Sequence, residues 1–104
     1  MKCRPCEDYE EPMEKKEILD CLKQIKGWTY LESENAITKD FKFKGFLDAI
    51  DFTNKVAKIA EQENHHPYIH VKYNKVAIFL KTFAIHGLSE NDFILAAKID
   101  EIKV

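Results

Sequence analysis

The chain is poor in residues that break structure. Its 104 residues include three glycines, three prolines and one tryptophan. So few breakers exclude collagen-like and low-complexity architectures. No excess of one charge is present either: 16 Lys and Arg face 18 Asp and Glu, a formal net charge of −2. That balance offers no electrostatic case for binding nucleic acid or an anionic membrane. No apolar run approaches the roughly 20 residues of a membrane span; Val76–Leu80 is the size of a buried strand. Glycine-rich phosphate loops and a G-x-S-x-G nucleophile motif are both missing, which removes two common enzyme classes.

Cysteine is scarce and odd in number, at three. An odd count is a poor disulfide framework and fits a reducing compartment. The first residues are acidic and contain no apolar signal core, so a cytoplasmic location is expected. Cys3 and Cys6 form a C-x-x-C, but Pro5 and acidic residues surround it. A redox motif needs a βαβ context and zinc needs more ligands. A tail with free thiols is expected there, and Cys21, among apolar helical neighbours, reads as core.

What is present is a regular alternation of patterns. Residues 1–13 read as a polar tail and 14–104 as one domain. A helix is predicted from Glu14, with Ile18, Leu19, Leu22 and Ile25 on one face, stopped by Gly27. Strands follow at 28–31 and 36–43, joined by the turn cluster Ser33-Glu34-Asn35. The longest helical pattern covers 45–63, with Phe46, Ile50, Thr53, Ala57 and Ala60 on its apolar face. Asn64 can end it and Pro67 prevents continuation. Ile69, Val71 and Tyr73 share one strand face, Val76, Ile78 and Leu80 another, with a tight hairpin link at Asn74-Lys75. Ser89-Glu90-Asn91-Asp92 resembles a capping box opening a last helix. The expected fold is α+β, a four-stranded antiparallel sheet with three helices on one face, in the order α-β-β-α-β-β-α. Its open edges favour self-association.

The chemistry concentrates at Glu61-Gln-Glu-Asn-His65-His66-Pro67. Histidine is the side chain best placed to give and take protons near neutral pH. Two of the four histidines adjoin here, in a helix-to-strand connection where both can converge on one pocket. Glu61 lies four residues before His65, within reach if the chain turns. A carboxylate beside an imidazole sets its tautomer, the layout of general acid–base work. The plainer alternatives stay open at this point: loop histidines, a solvated Glu61, and Asp92 as a helix-start acid. A metal site from His65, His66, His70 and His86 lacks any strong zinc spacing.

These residues resemble the pterin-4a-carbinolamine dehydratases, known in animals also as a dimerisation cofactor of a homeodomain transcription factor. The family pattern is a charged residue, three residues, His-His-Pro, an aromatic, a His or Trp, then Asp. Here it reads Glu61, His65-His66-Pro67, Tyr73 and Asp92. Gly27-Trp28, Phe43-Lys44-Gly45-Phe46, Tyr73-Asn-Lys-Val76, Thr82 and Gly87-Leu-Ser89 agree as well. One position departs: Phe83 stands where the family has His or Trp, and phenylalanine cannot transfer a proton. His86, three residues on, is a candidate substitute.

The resemblance implies a hydro-lyase that removes water from 4a-hydroxytetrahydropterin (4a-hydroxytetrahydrobiopterin) to give quinonoid dihydropterin, recycling tetrahydrobiopterin. It implies no metal and no cofactor. His65 and His66 would be catalytic, Glu61 would tune an imidazole, and Asp92 would hold the site. Asn64, His65, His66, Pro67, Lys81, Thr82, Phe83 and Ala84 would line the pterin. It further implies a dimer of dimers and leaves open a pterin-dependent hydroxylase or a transcription factor as partner, with a nuclear location besides the cytoplasm. The alternative is a non-catalytic dimerisation or coactivator module with a vestigial pocket.

Overall fold

The helix and strand patterns resolve into one four-stranded sheet with helices packed on one face. The computed structural model describes residues 13–82 and 87–103. Cys3, Cys6, Phe83, Ala84 and His86 lie outside the described residues. Along the chain run α1 (Lys15–Leu22), β1 (Thr29–Leu31), a single 3-10 turn (Glu32–Glu34), β2 (Ala36–Lys42), α2 (Phe46–Glu63), β3 (Tyr68–Lys72), β4 (Lys75–Leu80) and α3 (Glu90–Asp100). The sheet order is β1-β2-β4-β3, with every pair antiparallel. This is the α+β fold expected, with β1 and β3 at its edges.

Alternation decides which face of each strand is buried. Val76, Ile78 and Leu80 of β4 are fully buried, and Ile37, opposite Leu80 on β2, joins them. They meet Phe52 and Val56 of α2 and Phe93, Leu95, Ala96 and Ile99 of α3 in one cluster. Phe52 also gathers Phe41 and Phe43, at ring-centroid distances of 4.7 and 5.0 Å. Such pairs each contribute about 0.5–1.5 kcal/mol beyond burial.

The structure moves several expected faces by one residue. On α2 the buried stripe is Ala49, Phe52, Val56 and Ala60; Phe46 is half exposed and Ala57 exposed. The series i, i+3, i+7, i+11 tilts the helix so that Phe52 reaches the sheet instead. Leu19 is likewise exposed, because α1 turns Ile18 and Cys21 inward. Ile25 is buried but lies beyond the end of α1. Tyr73 leaves the β3 face altogether: the turn occupies Tyr73-Asn74, and Tyr73 takes a left-handed φ of 48°. A bulky residue there costs roughly 1–2 kcal/mol. Cys21 is buried, as expected of a core position.

A polar lock fixes the far end of α3. Trp28 Nε1 donates to Asp100 Oδ2 at 3.0 Å, and Lys39 Nζ reaches Asp100 Oδ1 at 2.8 Å and Lys26 O at 2.9 Å. Gly27 lies under this lysine with φ of 84°, and a Cβ there would meet Lys39 Cε at 3.0 Å. The left-handed φ favours glycine here, and a Cβ would also push the lysine's end by a few tenths of an ångström. The lock ties α3 to β2 and to the residue before β1, and so steadies the helix whose other end enters the candidate site. No helix among the described residues is long and apolar enough to cross a membrane.

Candidate active site

The site begins where α2 ends. Asn64 adopts the left-handed conformation, φ 52°, which stops the helix. The His65 amide then bonds Ala60 O at 3.1 Å, and Pro67 offers no amide to extend the helix. The chain therefore reverses within three residues before β3 starts at Tyr68. That reversal sends the two rings to different places.

His65 turns inward toward the first turn of α3. Its Nε2 lies 2.5 Å from Asp92 Oδ1, and the two side chains are 15% and 0% exposed. His66 turns outward, with Nε2 2.8 Å from Glu61 Oε1 and side chains 57% and 79% exposed. The expected contact of Glu61 with His65 is thus corrected. The left-handed Asn64 carries His65 past the helix end, and the following ring is the one that folds back over Glu61.

Asp92 needs explanation, since an unpaired buried carboxylate costs several kcal/mol. It is positioned by the Ser89-x-x-Asp92 cap of α3. Ser89 N–H donates to Oδ2 at 3.0 Å, and Thr82 Oγ1 donates to the same oxygen at 2.8 Å. With His65 on Oδ1, the carboxylate accepts three hydrogen bonds. Ser89 and Asp92 are the two buried polar residues among the described residues, and no buried side-chain polar atom there lacks a partner. Thr82 is held in turn by a backbone bridge to Gly87, 2.9 Å from Thr82 N to Gly87 O.

The remaining predicted residues divide. Pro67 is half-buried beside the two histidines. Lys81 lines a groove of about 570 Å³ on the outer sheet face, with Leu31, Tyr68 and Phe79. His70 stands on that outer face against Phe79, at 5.0 Å between centroids, and is not brought to His65. Tyr73 lies past the far end of β3, a strand length from the histidines. No three His, Cys, Asp or Glu gather as a metal site among the described residues. Ser89 is the member that the sequence argument did not place in the site. Its signal was the Ser-x-x-Asp spacing, which announces a helix start and says nothing of what the aspartate then meets.

A buried imidazole–carboxylate pair beside an exposed one can move protons without metal or redox chemistry. The family described as "Pterin 4 alpha carbinolamine dehydratase" matches residues 11–102. A Nitrosospira multiformis relative named "Putative pterin-4-alpha-carbinolamine dehydratase" is 46% identical over 101 residues, covering 97% of this chain and 88% of its own. The crystal structure of a transcriptional coactivator/pterin dehydratase from Brucella melitensis has a TM-score of 0.82 and 33% identity, covering 86% of this chain and 96% of that one. A pterin dehydratase-like protein identified as a RuBisCO assembly factor in the alpha-carboxysome has a TM-score of 0.62 at 24% identity, over 71% and 86% of the two chains. At that identity it shares the fold alone.

Proposed function

We propose, from the premise that the chain belongs to the pterin 4 alpha carbinolamine dehydratase family, that it dehydrates a 4a-hydroxytetrahydropterin by histidine acid–base catalysis. The observation that carries this is the pair of adjacent imidazoles, each on its own carboxylate: His65 on Asp92 and His66 on Glu61.

The reaction needs two proton movements and no electron carrier. A ring N–H next to C4a gives up its proton, and its electron pair becomes the C=N bond. The C4a–O bond breaks, and the oxygen takes up a proton and leaves as water. One group must accept a proton while another donates one. Two imidazoles in adjoining positions can divide that work, each worth roughly 10²–10⁴-fold in rate. Asp92 orients the His65 ring and Glu61 that of His66 through these hydrogen bonds. Asn64, Pro67 and the Lys81–Ala84 segment would bind the pterin, and 4a-hydroxytetrahydrobiopterin is the substrate by family position. Phe83 can pack on a flat ring but cannot share the proton work. Self-association as a dimer of dimers belongs to the same proposal. Its support is that β1 and β3 each have one strand neighbour in the sheet.

The test is dehydration of a freshly generated 4a-carbinolamine, followed optically. Wild-type protein should accelerate it, and His65→Ala should lose most of the acceleration. Equal rates for wild type, His65→Ala and His66→Ala would remove these residues from the mechanism. A wild type with no activity would leave the non-catalytic module as the surviving alternative.

A further inference from the structure

We infer that Thr82 and Ser89 are positioning residues that act through Asp92 to present one nitrogen of His65, Nδ1, to the substrate. The inference rests on the dehydratase reading for its substrate but on hydrogen-bond accounting for its geometry. Thr82 Oγ1 has two neighbours, Asp92 Oδ2 at 2.8 Å and Ser89 Oγ at 2.7 Å. An ionised carboxylate only accepts, and a hydroxyl has one proton. Thr82 must therefore donate to Asp92, and toward Ser89 it can only accept. Ser89 Oγ is thereby the donor, and the direction of the chain is settled: Ser89 to Thr82 to Asp92.

The same accounting reaches His65. Oδ2 of Asp92 is occupied by Thr82 Oγ1 and by the Ser89 amide at 3.0 Å. Oδ1 is left to accept from His65 Nε2. Nε2 thus carries the proton, and Nδ1 is the remaining nitrogen. Nδ1 has no hydrogen-bond partner among the described residues. The carboxylate cannot rotate to offer another arrangement, because both of its oxygens are engaged. Thr82 lies two residues beyond β4, held by its bridge to Gly87, and Ser89 caps α3. The Thr82 hydroxyl is accordingly turned to Asp92, which leaves its backbone for the pterin contact proposed above.

The test uses the full chain and two readouts. In the ligand-free protein, the His65 Nε2–H proton is observed by nuclear magnetic resonance. Thr82→Val removes one donor from the carboxylate. The remaining bond to His65 should strengthen, and its proton should move downfield. Turnover should fall roughly tenfold, the scale of losing an orienting partner, with KM changed less than about twofold. Thr82→Ser keeps the hydroxyl and should recover most of the turnover and the resonance position. Ser89→Ala should shift the resonance in the same direction but less, because a hydroxyl that no longer accepts is a weaker donor. This second variant carries the test if Thr82→Val does not fold. A raised KM with an unmoved His65 proton would make Thr82 a substrate contact and overturn the inference. A shifted proton in a protein whose wild type shows no dehydration would support the relay and overturn the reaction instead.

Discussion

The two histidine–carboxylate pairs are adjacent in sequence and opposite in character. His66–Glu61 is local, five residues apart, and both side chains are mostly in solvent. His65–Asp92 joins residues 27 apart, and its carboxylate is fully buried. Exposed pairs contribute about 0–1 kcal/mol, because water and salt screen them and the side chains lose freedom. A buried pair carries higher stakes: it is tolerable only when every lone pair is met, and removing one partner is costly. Asp92 meets that condition through Thr82 and Ser89. The comparison teaches that the inner pair is built into the fold, while the outer pair is a surface contact that solvent can replace.

Asp92→Asn should break the comparison most severely. The amide keeps the shape but puts a donor among three donors. Dehydration should fall about 10²–10³-fold by the scale of acid–base groups, and unfolding should become easier by about 1–3 kcal/mol, read by denaturant titration. Phe83→His is the next largest change and has the opposite sign. A third imidazole should raise the rate roughly tenfold, within the range of one acid–base group, or alter the preference between the two 4a epimers. An unchanged rate and preference would mean that another group, such as His86, already does this work. Glu61→Gln should do least, lowering the rate less than about fivefold and moving stability less than about 0.5 kcal/mol. If Glu61→Gln matched Asp92→Asn in both measurements, the distinction between the inner and outer pairs would not hold.

Much of the architecture was legible because it is written in local periods. Alternation in Val76–Leu80 and the Ser89-x-x-Asp92 cap each describe neighbours in sequence, and the structure keeps both. Asn64 as the end of α2 was legible for the same reason. The α2 face was less so. Phe46 and Ala57 fit the helical period as well as Ala49 and Phe52 do, and only packing against Phe41 and Phe43 selects between them. Tyr73 reads as a strand residue by type, but the hairpin turn takes it. Glu61 was identified as an imidazole partner, and distance along the helix alone could not say which of two consecutive rings it would meet.

The sequence by itself determined the element order, the sheet's buried strand face, and a candidate site of two adjacent histidines with a carboxylate nearby. Those follow from side-chain chemistry and short-range periodicity, which need no partner to be read. Only the tertiary structure decided that Asp92 belongs to His65, that Thr82 and Ser89 complete its hydrogen bonds, and that Glu61 serves His66. Each of those contacts depends on how the chain reverses at Asn64 and on where α3 docks beside α2. Such placements are set by the burial of the whole core, and no stretch of sequence carries them alone.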